Sequence, residues 1–344
     1  MAADVANPAV IDGEQVGRAH RLSAAYRRLQ YFREGGLVIA LLVTGLIFTL
    51  LNSVFAEPQN LENISSQITY EAVIAVSMTY VIITGEIDLS VGSIVAVTAV
   101  VFGMMLNDGL PIWAAILVTL AAGWGLGAVN GILSVLLRVP TIIITLGTLS
   151  AYRGLADQLA NGYPISGFSV SGWFWDIGQG KLFGHIPYDA IVLIVFAVAS
   201  GFVLRRTVTG LHVYAMGSNR RAAELAGLHV DRIRIGVLAF NGLASALGAL
   251  LAVSQTQTAD PNLGTGYELD VIAAVIVGGA KLTGGSGTVL ASVLGLLLIK
   301  MIQNGLVIAG VSIYLLVVVS GLVVIAAVAI DRFFTRRREA TVRG

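Results

Sequence analysis

The sequence predicts an all-α integral membrane protein of about ten transmembrane helices, with an internal duplication and with broken or short helices at glycine-rich motifs. Three observations carry this prediction. Of 344 residues, 56% are hydrophobic and 12% charged, with a mean hydropathy of +0.85, whereas soluble domains carry roughly 25% charge. Apolar runs of about 20 residues, enough to cross ~30 Å of hydrocarbon as helix, recur along the chain. Basic residues fall almost entirely on alternate turns between those runs.

The first run, 36–55, follows a polar segment with Arg18, Arg21, Arg27, Arg28 and Arg33, and no small-residue cleavage site comes after it, so a cleaved signal peptide is not expected. Runs at 67–84, 89–106, 111–137, 141–160 and 188–204 come next, then 235–256, 269–280, 286–309 and 312–330. The 12 residues of 269–280 span only about 18 Å as helix, so this run is either re-entrant or extends outward to include 265–270. These runs divide the chain into an N-terminal segment 1–35, a transmembrane domain 36–331 containing a long loop 205–234, and a basic tail 332–344. With the N-terminus cytoplasmic, the 21 basic residues sort cleanly. Lys181 falls outside, Arg153 and Lys300 lie within runs, and all the others, including Arg138, Lys281 and the tail arginines, face the cytoplasm.

Composition also excludes chemistry. A net charge of +1 gives no basis for a nucleic-acid partner, and the absence of cysteine removes disulfides and thiolate metal sites. No Gly-x-x-x-x-Gly-Lys-[Ser/Thr] loop occurs, since Gly180-Lys181 is followed by Leu182. No His-Glu-x-x-His is present either, so neither a resident ATPase of that type nor a metal or other cofactor is expected on this chain.

Two loops stand apart. In 205–234, Asn219 suits an N-cap, Ala222, Ala223, Leu225 and Ala226 favour helix, and Gly227 suits a left-handed C-terminal position. A helix that short is not stable alone and must pack on its own membrane domain or on a partner. The loop 161–187 carries Tyr163, Phe168, Trp173, Phe174, Trp175 and Phe183. An interfacial aromatic belt accounts for them; a dock for an external solute-binding protein is the alternative.

The stretches 84–93 and 277–286 align without a gap, Gly85 on Gly278, Ser90 on Thr283, Gly92 on Gly285 and Ser93 on Ser286, while Asp88 meets Lys281. Each lies where one apolar run breaks and another begins, where transporters expose backbone and helix ends to solute. Gly85, Asp88, Ser90, Gly92, Ser93, Thr283, Gly284 and Gly285 are therefore candidate pathway residues. Asn130 and Asn304, each preceding a glycine within a run, join them, with interhelical hydrogen bonding as the competing role. The repeat is open to a parallel or an inverted reading. Among the intramembrane charges, Arg153 and Asp157 are expected to pair at i, i+4. Glu71 is expected to snorkel, and Lys300 to reach the outer interface or line a cavity. Gly123, Gly127 and Gly131 mark a close helix contact.

Several ordered motifs resemble the permease subunits of bacterial ATP-binding-cassette (ABC) importers for simple sugars, of the ribose and xylose type, over 36–331. They are Gly-Glu-Ile-Asp-Leu-Ser-Val-Gly-Ser (85–93), Val-Asn-Gly-Ile-Leu (129–133), Val-Pro-Thr-Ile-Ile-Ile-Thr-Leu-Gly-Thr-Leu (139–149), Gly-Ser-Asn-Arg-Arg-Ala-Ala-Glu-Leu-Ala-Gly (217–227) and Leu-Asp-Val-Ile-Ala-Ala-Val-Ile-Val-Gly-Gly (269–279). The resemblance implies a second permease copy, a cytoplasmic ATPase subunit supplying two ATPase domains that bind ATP and Mg, a periplasmic sugar-binding protein, and residence in the bacterial inner membrane among lipid. It makes Gly217, Ser218, Asn219, Arg220, Ala222, Ala223, Glu224 and Gly227 the coupling helix that engages the ATPase. Glu86 stands where many members of the family carry a small or different polar residue, and no solute role is attached to it. An ion-coupled secondary transporter is the competing class, and it would need its coupling acid near mid-bilayer.

Overall fold

A computed structural model describes residues 34–168, 172–184, 186–312 and scattered positions between 315 and 329. The tail 332–344, most of 312–330 and all of 1–35 except Glu34 and Gly35 lie outside the described residues. In chain order the helices are α1 Glu34–Leu51, α2 Pro58–Ile83, α3 Val91–Asn107, α4 Ile112–Leu137, α5 Thr141–Leu159, α6 Gly172–Gln179, α7 Tyr188–Arg206, α8 Val208–Ser218, α9 Arg220–Leu225, α10 Val230–Thr256, α11 Tyr267–Val277 and α12 Val289–Ile308. A minimal hairpin, Lys181–Leu182 with Ile186–Pro187, precedes α7. Among the described residues, six helices (α1, α2, α4, α7, α10 and α12) are long and apolar enough to cross a membrane. The protein is thus a predominantly helical, multi-pass membrane protein.

Helices α2 and α10 form its centre. Residues 72–76 of α2 and most of α10 from Val237 to Ser254 are buried. Around them α1 and α7 turn apolar stripes outward: Leu42, Leu46 and Leu50 on one, Ile194, Val198 and Phe202 on the other, all more than half exposed. At helical spacing of four, these are faces a bilayer would solvate. The glycine stripe of α4 does what its spacing predicts. Gly127 lies so close to α10 that a Cβ there would run into the carbonyl oxygen of Leu238, and Gly242 of α10 meets Gly123 in the same way.

A long helix, a non-helical stretch and a short helix occur twice in succession. α2 runs into 84–90 and then α3; α10 runs into 257–266 and then α11. The two series point in opposite directions, since α2 ends at the arginine-bearing end of the bundle and α10 at the other. The second stretch explains why α11 is short. Residues 257–266 enter the bundle beside α3, Ala259 against Gly103 and Gly264 against Gly92, with backbone in place of helix. Irregular backbone at that depth needs protein partners, and Arg153 supplies them. Its Nη1 donates to the carbonyls of Pro261 at 2.7 Å and Leu263 at 3.0 Å. The expected pairing of Arg153 with Asp157 is thereby corrected: the guanidinium reaches carbonyls that only folding brings near.

Three further expectations change. Helix α2 begins at Pro58, not near 67, because Pro58 occupies its first turn and the polar residues that followed find partners; Asn60 and Asn304 exchange amide hydrogen bonds of 3.0 Å. The aromatic loop divides. Phe174 on α6 is buried against Phe102, their rings 5.2 Å apart, and Gly178 packs on Ser254, while Tyr163 and Phe183 stay exposed. Glu71 does not snorkel, nor does Lys300 reach the interface. The Lys300 ammonium sits 2.6 Å from Glu71 and 2.9 Å from Asp270, joining α12 to α2 and α11 within the bundle.

Candidate functional site

Helix α9 has only six residues, so its caps and packing must hold it. The Asn219 side chain accepts from the Ala222 amide at 3.0 Å, satisfying one of the free donors of the first turn. At the other end Gly227 is left-handed with φ +84°, and Leu228 N donates to Ala223 O and Gly227 N to Glu224 O, each at 3.0 Å, closing the helix as a Schellman motif. Ala223 is buried with Met216 and Val230. Ala222, Arg221 and Leu225 face outward, Leu225 at 76% exposure. One face is anchored and the other is free.

The preceding helix ties this unit to the spans. Gly217, near the end of α8, abuts the last turn of α2 so tightly that a Cβ would collide with the Ile83 carbonyl oxygen. That carbonyl also accepts from the Gly285 amide at 2.8 Å, and Gly284 and Gly285, both left-handed, pack on Gly217 and Ser218. The two aligned glycine motifs therefore meet at one end of the bundle with the α8–α9 corner against them.

Beside that corner lies a polar cleft of about 770 Å³. Glu86, Arg138, Arg220, Glu224, Asp231 and Arg234 line it, with Gly85, Gly217, Ser218, Asn219 and Thr283 in its walls. Of the expected coupling residues, Gly217, Ser218, Asn219, Arg220 and Glu224 border this cleft; of the expected pathway residues only Gly85 and Thr283 do.

The remaining pathway candidates are closed onto protein partners. Asp88 Oδ1 accepts from Ser90 N at 2.9 Å and Ser90 Oγ at 2.7 Å, and its Oδ2 accepts from Asn241 at 3.0 Å. Asn130 donates to Ser90 Oγ at 2.8 Å and accepts from Tyr152 at 3.2 Å, while Ser77 donates to Asn241 at 2.7 Å. Asp88, Ser90, Asn130, Asn241 and Ser77 are all fully buried. Ser93 donates to the Ser90 carbonyl, and Gly92 is pressed against Gly264. A buried carboxylate with three hydrogen bonds holds its helices in register, so this network fixes α2, α3, α4 and α10 together.

Glu86 and Arg234 are the site residues that sequence reasoning missed. The available signal was charge: an acid inside a glycine turn at the edge of an apolar run, and an arginine at the start of another. Arg234 Nε donates to Glu86 Oε1 at 2.7 Å, and both side chains are about one-tenth exposed.

The class this multi-pass helical bundle belongs to is the membrane permease subunit of a transporter, as comparison with known proteins shows. A family model described as the permease component of a branched-chain amino acid transport system matches residues 60–328, and the chain belongs to that family. The ribose import permease RbsC of Haemophilus influenzae is 38% identical over 87% of this chain and 93% of its own length. RbsC of Bacillus subtilis is 35% identical over 92% and 98%, and the L-arabinose ABC transporter permease AraH of Azospirillum brasilense 34% over 90% and 91%. A solved ABC transporter chain in an inward-facing conformation, assigned to the metal-chelate type, shares the fold with a TM-score of 0.50 at 15% identity, covering 89% of this chain and 99% of that one.

Proposed function

We propose that this chain is the membrane-spanning permease of an ABC importer that carries a monosaccharide, pentose or hexose, or a related polyol. The relatives named for ribose and L-arabinose support the solute class. The observation that carries the mechanism is α9, capped at both ends, anchored on one face and exposed on the other. In this reading the exposed face seats in a domain of a cytoplasmic ATPase subunit that binds ATP and Mg, and closure of two such domains moves the α9 helices of two permease copies. The spans then alternate between outward and inward access, receiving solute from a periplasmic binding protein. No catalytic step belongs to this chain.

The same reading sets ten crossings, formed by α1 to α5, α7, α10, α11 with its irregular entry, α12 and 312–330, with both termini in the cytoplasm of a bacterial inner membrane. The reversed long–break–short series supports an inverted duplication, α2 onward matching α10 onward, in place of the alignment of 84–93 with 277–286, whose two stretches meet at one end of the bundle. Within the network around Asp88, Ser90 and Asn130, solute reaches those groups only if the helices separate during transport.

Uptake of labelled ribose into proteoliposomes tests the function. Uptake is expected only with binding protein, ATPase subunit and ATP together. Accumulation driven by an ion gradient without the ATPase would support the secondary-transporter class instead, whose coupling acids Glu71 and Asp270 would then have to part from Lys300. Glu224→Arg and Gly227→Pro are expected to insert normally yet hydrolyse ATP without uptake; native uptake in both would count against the role of α9.

A further inference from the structure

The Glu86 carboxylate stands at the junction of four elements. It belongs to the non-helical stretch between α2 and α3. Its Oε2 accepts from the Thr141 hydroxyl at 2.7 Å, at the first residue of α5, where the helix dipole also favours negative charge. Its Oε1 accepts from Arg234 of α10 at 2.7 Å, and Arg234 reaches Ser134 of α4 at 3.3 Å. On its open side Arg220, the first residue of α9, lies 3.7 Å away.

The bonds on the two sides differ in kind. Those to Arg234 and Thr141 are short, and the Glu86 and Arg234 side chains are 11% and 9% exposed, so water competes little for them. Arg220 is 42% exposed and shared among Glu86 at 3.7 Å, Glu224 at 3.2 Å and Asp231 at 3.4 Å. Glu224 travels with α9, whereas Asp231 belongs to the first turn of α10 and Glu86 to the stretch between α2 and α3. A displacement of α9 of an ångström or two therefore changes Arg220–Glu86 and Arg220–Asp231 together and leaves Arg220–Glu224 intact, while Glu86 stays fixed to α5 and α10. Two residues further on, Asp88 locks the same stretch to Asn241 of α10, and α3 begins at Val91.

We infer that Glu86 is a positioning residue that passes the movement of α9, through Arg220, to the ends of α3, α5 and α10. This rests on the reading of α9 as the element that engages the ATPase. A second route exists in the backbone wedge of Gly217 against Ile83 and Gly285, and it remains intact when the carboxylate is neutralised.

The test uses the assembled complex of this chain, its ATPase subunit and the binding protein in proteoliposomes, reading ribose taken up per ATP hydrolysed well below each variant's melting temperature. Glu86→Gln is expected to lower that ratio roughly tenfold, the scale of one charge-assisted hydrogen bond. Arg220→Gln is expected to lower it similarly, and the double variant no further than the worse single, because both act through one contact. A purely structural role would reduce the melting temperature and the yield of complex but leave the ratio per complex native. A native ratio in Glu86→Gln, or effects that multiply in the double variant, would overturn the inference. A photo-crosslinker on Leu225→Cys separates the two levels. No crosslink to the ATPase subunit would remove the reading of α9 and this inference with it, whereas a crosslink together with a native ratio in Glu86→Gln would remove this inference alone.

Discussion

Lys300 and Arg220 each face more than one acid, and their surroundings differ. Lys300 lies midway along α12, its side chain 13% exposed, held by Glu71 and Asp270 at 2.6 and 2.9 Å. Arg220 starts α9, its side chain 42% exposed, with three acids between 3.2 and 3.7 Å. In the bundle interior, water and counter-ions do not screen the charges, so each ion needs its partner and the geometry is fixed. Around Arg220, solvent weakens each pair, and exchange among near-equal partners costs little. The interior cluster is therefore suited to holding α2, α11 and α12 together, and the cleft cluster to moving. An ion-coupled carrier would need the interior acids free, and their engagement with one lysine argues for the ATP-driven class.

The contrast is broken most directly by Lys300→Met. Buried Glu71 and half-buried Asp270 would lose their only cation among the described residues, at a cost of roughly 3–5 kcal/mol, expected as a large drop in melting temperature in detergent and little mature protein in the membrane. Adding Glu71→Gln and Asp270→Asn should restore most of the loss, since removing every member of a buried ionic set is far milder than removing one. If Lys300→Met melts like the parent, the cluster is not structural and the distinction between the two regions falls.

An intermediate effect is expected at the cap. Asn219→Ala removes the acceptor for the Ala222 amide and should cost about 1 kcal/mol, as N-caps do. In six residues that loss is local: amide hydrogen exchange should rise at 220–225 while α2 and α10 remain protected. Equal deprotection of the central helices would mean that α9 is part of the global fold and not a separately movable handle.

What the sequence made legible follows the range of the interactions. The spans were readable because lipid demands long apolar runs, and the caps of α9 because Asn219 and Gly227 act within four residues of what they satisfy. The stripe Gly123, Gly127, Gly131 was readable as a contact, though not its partner on α10. Where the reading failed, the deciding group was distant in the chain. Lys300 was left between the outer interface and a cavity because nothing local announces Glu71, and Arg153 was given the nearest acid because the carbonyls of Pro261 and Leu263 become available only when 257–266 leaves helical geometry. The polar stretch after Pro58 looked like an outer turn because Asn60 finds Asn304 only across the folded bundle. Within the site, α9 was legible and its link to the spans was not: Glu86 and Arg234 come together from separate apolar runs, with no spacing to betray them.

The smallest effect on the isolated chain is expected at Arg221, the neighbour of Arg220. Its side chain is 80% exposed and, among the described residues, forms an ion pair only with Glu224, at 3.6 Å, an exposed i, i+3 pair, so Arg221→Gln should change stability by less than about 0.5 kcal/mol. Its value lies in the comparison with Arg220. If the outward face of α9 seats in the ATPase subunit, Arg221→Gln should weaken co-purification of that subunit, with a stronger effect at low salt, while the ratio of uptake to hydrolysis in the complexes that form stays native. Arg220→Gln should do the reverse. Two adjacent arginines on a six-residue helix would then divide its work, one holding the motor and the other carrying its movement inward. An identical pattern for both would mean that the two faces of α9 do not act separately.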